Sequence, residues 1–132
     1  MVAINFSVFL DKVETREKRM TIRRTTRGKV GDKLQLYTGM RTKKCRKLVD
    51  EDATLQEIAP VKIDETSTQI YRNLFGVVQW AHIDPEDFAQ KDGFDCFEDM
   101  KTFFRKQYGL PFVGVAHSWH WPDIGIDVEG KA

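Results

Sequence analysis

Two residues that could perform chemistry lie three positions apart near the N-terminus. Lys18 and Thr21 occur in the charge-dense segment 17–24, Glu-Lys-Arg-Met-Thr-Ile-Arg-Arg. A threonine hydroxyl is a poor nucleophile until a base takes its proton, and a lysine amine can be that base when burial or neighbouring cations lower its pKa. The alternative interpretation is a solvated lysine at a helix end, followed by an ordinary strand threonine. The pair is therefore a candidate base and nucleophile.

The local backbone decides whether these two side chains can meet. Met20 and Ile22 alternate with polar residues, a pattern that predicts a half-buried strand anchored in the core by these two side chains. In a regular strand Thr21 and Arg23 share the opposite face, which we expect to line a cleft. Lys18 falls on the face of Met20, so it reaches Thr21 only if the chain bends between them. Such a bend exists if Lys18 still belongs to a preceding helix.

Positive charge is concentrated in one part of the chain. The net charge is only +1, but residues 12–47 hold 14 Lys and Arg against three acids. This segment predicts contact with a polyanion such as RNA, since the summed charge attracts phosphate. The alternative is that the acidic remainder of the chain neutralises it. The cations that we expect to contact RNA are Arg19, Arg23, Arg24, Arg27, Arg41, Lys43 and Lys44.

Aromatic side chains could add stacking on a nucleobase to these phosphate contacts. The candidates are Tyr37, Trp80, Trp119 and Trp121. Tryptophans are also common core residues in a chain of this size. Trp119 and Trp121 would share one strand face, so we expect the same role for both.

Other classes of site are disfavoured by the residue pattern. Cys45 and Cys96 form no Cys-x-x-Cys motif, which favours two free thiols in a reducing, cytoplasmic compartment, although a single disulfide stays open. His117 and His120 would lie on opposite strand faces, which argues against a metal pair. No apolar run approaches the roughly 20 residues of a membrane-spanning helix, and the N-terminus lacks a signal-peptide pattern. We expect no metal, no cofactor and no membrane contact.

The hydrophobic pattern predicts one α+β domain over residues 1–122 and a loose tail over residues 123–132. Strands are predicted at 4–6, 20–23, 33–37, 69–71 and 77–80 and from 112 to the stop at Pro122, with extended chain at 45–63 broken by an acidic turn at 50–52. Helices are predicted over 8–16 with Ser7 as cap, after Asp84-Pro85, and after Asp95, where Glu98 completes a capping box. This order predicts a small mixed β-barrel with flanking helices.

Three short motifs carry a resemblance to a known family. They are Lys18-x-x-Thr21-Ile22-Arg23, Gly31-Asp32-x-Leu34, and Phe88-Ala89-x-x-Asp92-Gly93-Phe94 before a helix. Their order and spacing resemble the ASCH domains of the PUA-like superfamily over residues 4–121. The basic loop 39–48 is similar to that of small stand-alone ASCH proteins, many of them encoded by phages. The resemblance implies a PUA-like β-barrel with a cleft beside the first motif.

The resemblance also implies a function. The family is thought to act on RNA or modified nucleosides, and some small members are amidohydrolases that remove the acetyl group from N4-acetylcytidine. Their lysine and threonine fall on Lys18 and Thr21, and their glutamate position falls on Asp92, a carboxylate that is one methylene shorter. Arg23 could then neutralise a developing oxyanion.

Two further functions stay open at this point. One is an RNA-binding module without catalysis, which uses residues 19–47. The other is a phage-encoded interaction protein that inhibits a host nucleic-acid enzyme and therefore has a host protein as its partner.

Overall fold

A computed structural model describes residues 1–121 and shows an α+β fold of eight strands and three helices. The strands are β1 (Val2–Phe6), β2 (Met20–Arg23), β3 (Lys33–Thr38), β4 (Arg46–Lys47), β5 (Ala53–Ile63), β6 (Thr68–Leu74), β7 (Val77–Ile83) and β8 (Phe112–His120). The helices are α1 (Leu10–Glu14), α2 (Pro85–Asp92) and α3 (Phe97–Gln107). The predicted tail, 123–132, lies outside the described residues.

The eight strands form one mixed sheet. The order β1-β3-β5-β6-β7 is its main path, with β4 beside β3 and with β8 paired to both β2 and β5. β1 runs parallel to β3, whereas β3–β5, β5–β6 and β6–β7 are antiparallel. Among residues 1–121 these pairings do not close the sheet into a barrel. The predicted α+β class is therefore confirmed, and the barrel is not.

The chain divides into two compact units. Among the described residues, the first comprises 1–19, 27–57 and 118–121, and the second comprises 20–26 and 58–117. In the first unit β1 lies beside β3 with Ile4 opposite Leu36, and both side chains are buried. The ring of Trp119 meets Phe6 edge-on at 6.0 Å between centroids, which adds aromatic contact to this apolar interior.

The second unit has its own hydrophobic core. Met20 and Ile22 from β2 pack in it with Val61, Ile70 and Phe88. The core is completed by Ala59, Ile63, Ala89, Phe97, Met100, Phe104, Phe112 and Ala116. α2 and α3 therefore cover the sheet with their apolar side chains.

The segment that carries Thr21 forms the predicted strand, with the two predicted core residues. β2 spans Met20–Arg23, and Met20 and Ile22 are buried in the core of the second unit. Gly114 of β8 allows the paired strand to lie close, because a Cβ atom there would come within 2.6 Å of the Arg23 carbonyl oxygen. β2 is thus fixed by backbone pairing on one edge and by its apolar side chains.

Of the three helix caps that the sequence predicts, one is confirmed and two are wrong. Asp84 caps α2 by accepting a hydrogen bond from Glu86 N, with Pro85 at the first helical position. The prediction of Ser7 as a cap is wrong, because α1 begins after Phe9 in the left-handed conformation, with φ 59°. The predicted Asp95–Glu98 capping box is also wrong. Cys96 is the N-cap of α3, and the Phe97 N–H donates to Glu86 Oε1 of the neighbouring helix instead.

None of the helices in the described part of the chain is long and apolar enough to cross a membrane.

Candidate active site

Lys18 lies in the first unit, in the short connection that precedes β2. Only 4% of its surface is exposed. α1 ends at Glu14, so Lys18 is not helical, and its backbone N–H donates to Lys12 O at 2.9 Å. Its ammonium nitrogen lies 5.7 Å from the centre of the Phe9 ring, within the range of a cation–π contact. The residue is held by the turn after α1 and is not a solvated surface lysine.

Thr21 lies in the second unit, in the middle of β2, and is 6% exposed. The sequence pattern predicts that one face of this strand is open to a cleft. Instead Met20, Thr21 and Ile22 are all buried, so β2 is covered on both faces. A polar residue in a strand covered on both sides is uncommon, because its hydroxyl loses contact with bulk water.

Asp92 is the last residue of α2 and is also buried, with 5% of its surface exposed. Gly93 follows it in the left-handed conformation, with φ 110°, and closes the helix by donating to Gln90 O. Phe94 N then donates to Ala89 O, which completes the helix end. This cap fixes the backbone on both sides of the carboxylate. α2 packs against β2 within the second unit, so Asp92 and Thr21 lie on elements in contact.

Buried polar residues are few in this protein. Among residues 1–121 only five polar or charged side chains are buried: Lys18, Thr21, Thr68, Asp92 and His117. Charged residues are rarely buried in proteins unless a partner or a function compensates the lost hydration. Three of the five are the residues to which the family resemblance assigns catalysis.

The predicted phosphate-binding cations are distributed over both units. Arg23 is half-buried in β2, and the other six are exposed. Three of the exposed ones are already engaged. Arg19 donates from Nε to Arg16 O, Arg27 donates to Ala3 O, and the Arg24 guanidinium lies 5.6 Å from the Tyr108 ring centre.

The remaining three cations, Arg41, Lys43 and Lys44, occupy one ordered loop of the first unit. Thr42 Oγ1 donates to Gly39 O at 2.6 Å and accepts from Lys44 N, while Cys45 N donates to Thr42 O. Gly39 has φ 65°, and a Cβ there would lie 2.8 Å from Lys44 O. The turn therefore requires glycine and presents its cations on a fixed backbone.

The predicted stacking residues differ in their exposure. Trp119 and Trp121 are 1% and 2% exposed, so neither presents a ring face to solvent. Trp121 Nε1 donates to Glu51 O, and the Arg16 guanidinium lies 4.6 Å from the ring centre, which gives the indole a structural role. Tyr37 is half-buried and pairs across the sheet with Lys47. A hydrogen bond to Asp52 raises the pKa of Lys47 beside it.

The fourth stacking candidate, Trp80, is half-buried and lies beside Tyr71, an exposed ring that the sequence pattern did not single out. Tyr71 and Trp80 face each other across β6 and β7, with ring centroids 5.3 Å apart. The alternation of polar and apolar residues in both strands could have placed the two rings on one face. In the part of the chain that the structure describes, no group of three or more His, Cys, Asp or Glu could hold a metal ion.

Comparison of the chain with protein-family models, with curated proteins and with solved structures finds no match. The family assignment therefore stays a prediction from the motifs.

Proposed function

We propose that this protein is a PUA-like, ASCH-type amidohydrolase that removes the acetyl group from N4-acetylcytidine or a related modified nucleoside. One observation carries the proposal. The three residues that the resemblance assigns to catalysis are three of the five buried polar residues within positions 1–121. Burial of Lys18 and Asp92 is costly for an ordinary surface charge, and it suits a site whose reacting groups are shielded from bulk water.

In the proposed reaction the Thr21 hydroxyl attacks the carbonyl carbon of the N4-acetyl group, and Lys18 accepts the hydroxyl proton. The tetrahedral oxyanion gains stabilisation from the Arg23 guanidinium. The bond between the carbonyl carbon and N4 then breaks, and the proton held by Lys18 passes to N4, which releases cytidine. Water hydrolyses the acetyl ester on Thr21 to acetate, and Asp92 orients that water or the departing amine.

The test is the release of acetate from N4-acetylcytidine, followed by proton NMR. We expect turnover by the wild-type protein and its loss, by at least about 10³-fold, in Thr21→Ala and Lys18→Met, because removal of a nucleophile or its base eliminates the covalent route. Thr25→Ala and Lys29→Met are matched controls, since both residues are exposed in the loop that follows β2. Turnover that survives Thr21→Ala, or no turnover by the wild type, contradicts the proposal.

A second candidate function is RNA binding without catalysis. The ordered loop that carries Arg41, Lys43 and Lys44 favours it, because three exposed cations on a fixed backbone match spaced phosphates. Replacement of all three by Ala should then weaken RNA binding and lower its salt dependence, and the wild-type protein should release no acetate from N4-acetylcytidine. The expected cytoplasmic location and the phage-encoded inhibitor with a host partner stay predictions.

A further inference from the structure

The β6–β7 hairpin in the second unit has two different faces. Ile70 points into the hydrophobic core with Val61 and Ile63 of the adjacent strand β5. Residues alternate between faces along a strand, so Gln69 and Tyr71 lie on the opposite, outer face. The register places His82 opposite Gln69, Trp80 opposite Tyr71, and Lys62 of β5 beside Gln69.

Two aromatic rings and a cation meet on this outer face. The Tyr71 and Trp80 rings are tilted at 60° to each other, and Tyr71 is 38% exposed. The Lys62 ammonium lies 4.3 Å from the centre of the Trp80 ring. The Lys62 side chain therefore extends from β5 across β6 to reach Trp80 on β7. Partly exposed aromatic rings on a sheet, with a lysine beside them, are the groups that hold unpaired nucleobases and their phosphates.

Within the second unit, the strand residues around this face include no carboxylate. Residues 58–63, 68–74 and 77–83 contain neither Asp nor Glu, and the one acid of β5, Glu57, belongs to the first unit. Lys62 and His82 lie on the outer face, whereas Arg72 lies on the opposite one. The acids that follow β5 are engaged elsewhere. Asp64 accepts hydrogen bonds from Thr66 N and Ser67 N, which hold its pKa below the usual value, and Glu65 pairs with Arg105 at 2.6 Å. The charge of this face therefore suits a polyanion.

The turn at the tip of the hairpin contains a residue that is uncommon in its backbone conformation. Phe75 and Gly76 form the two-residue turn, and both have positive φ, 54° and 86°. Such turns favour Asn-Gly, because left-handed backbone is strained for a bulky side chain. Phe75 is also fully exposed, so its ring gains nothing from burial. A residue that is unfavourable in both respects suggests a role in binding.

We propose that the outer face of the β6–β7 hairpin binds a single-stranded polynucleotide. Bases stack on Trp80 and Tyr71, and Phe75 contacts a further base at the tip. Lys62 leaves the indole to contact a phosphate. This face shares no residue with the proposed hydrolase, and the proposal stands whether or not the protein deacetylates cytidine.

A second copy of the chain is the alternative occupant. Val77 and Val78 are more than half exposed beside the tip and would suit an apolar contact. The polar members of the face, Gln69, Lys62 and His82, favour the polynucleotide instead. Amides, a lysine and an imidazole offer hydrogen bonds to base edges and charge to phosphate, whereas the buried centre of a protein interface is depleted of charge.

The test measures binding of a fluorescein-labelled 12-nucleotide oligouridylate by fluorescence anisotropy. The background variant has Arg41, Lys43 and Lys44 replaced by Ala, so that the basic loop does not contribute. We expect Trp80→Leu to raise Kd by about 5- to 150-fold, the equivalent of one lost stacking contact, and Trp80→Phe to retain most of the affinity. Val113→Ser, another exposed strand residue of the same unit, should leave Kd unchanged.

Two further variants distinguish the loss of a binding contact from a loss of stability of the fold. Phe75→Asn restores a favourable turn residue, so a rise in Kd without loss of thermal stability assigns the ring to binding. Lys62→Ala should lower the slope of log K against log salt by about 0.7, the value for one phosphate contact to a single strand.

Three results would overturn the proposal. They are equal Kd values for the background protein, Trp80→Leu and Phe75→Asn; tighter binding of a 12-base-pair RNA duplex than of the single strand; and no oligonucleotide binding together with self-association that Phe75→Asn abolishes in sedimentation. Oligouridylate carries no acetyl group and its binding is measured without turnover, so failure of the hairpin proposal and failure of the hydrolase proposal are distinguishable.

Discussion

The β2 region and the β6–β7 hairpin depart from the usual distribution of side chains in opposite directions. Around β2, Lys18 and Thr21 are polar and buried. On the hairpin, Phe75 and Val78 are apolar and exposed. Each departure costs stability, since a buried polar group loses hydration and an exposed apolar ring gains none of the free energy of burial.

The difference between the regions indicates two kinds of function. Buried polar residues suit chemistry on a small group that is shielded from bulk water. An exposed aromatic surface suits the reversible binding of something large. The two regions can be tested separately, because a variant in one leaves the side chains of the other unchanged.

Beyond the losses expected for Thr21→Ala and Lys18→Met, the largest effect is expected from the carboxylate of Asp92. Asp92→Asn should lower kcat for acetate release by about 10²- to 10⁴-fold, the contribution of a positioned acid or base. Asp92→Glu restores the residue of the family motif and should retain activity. Steady-state kinetics of both variants, with circular dichroism to verify folding, measures this. Equal activity of Asp92→Asn and wild type would show that the carboxylate has no role in the mechanism.

A smaller effect is expected at the hairpin tip. Phe75→Asn places a residue that tolerates left-handed backbone in the turn, so the free energy of unfolding should rise by about 0.5–1 kcal/mol. Urea denaturation of the two proteins provides the measurement, with Val113→Ser as an exposed control. A decrease in stability would mean that the Phe75 ring contributes to the fold, and the contrast between the two regions would then weaken.

The smallest effect concerns pH and the turn before β6. Backbone hydrogen bonds from Thr66 and Ser67 lower the pKa of Asp64 below its ordinary value of 3.8. A carboxylate with a lowered pKa contributes stability above its unfolded-state pKa and loses it as the pH falls through its folded-state value. Asp64→Asn should therefore lower Tm slightly at pH 7, and the difference should shrink below about pH 4. Asp50→Asn, at an exposed carboxylate, is the matched control. A difference in Tm that does not change with pH would contradict this assignment.

Local sequence patterns predicted the parts of the fold that local chemistry determines. The alternation in Met20–Arg23 predicted β2 and its two core residues, and Asp84-Pro85 predicted the start of α2. The capping box at Asp95 failed because Glu86, 11 positions from Phe97, supplies the acceptor. No local motif can identify a partner that far along the chain.

The candidate site was predictable in its residues but not in its environment. The spacing of Lys18 and Thr21 was visible in the sequence, whereas burial of both faces of β2 depends on how the other elements pack. Trp119 and Trp121 looked equally able to stack on a base or fill a core, and only their burial separates these roles. The pairing of Tyr71 with Trp80 required the register of β6 and β7, which the turn at Phe75-Gly76 sets.

The most direct test of the central claim is the free energy of unfolding of Thr21→Val. Valine has the shape and the β-branching of threonine but no hydroxyl. If Thr21 is buried for chemistry, the variant should be as stable as the wild type or more stable, because an apolar group replaces a polar one in a covered strand. A loss of about 1–3 kcal/mol in urea denaturation would show that the hydroxyl supports the fold, and would contradict its role as a nucleophile held at the expense of stability.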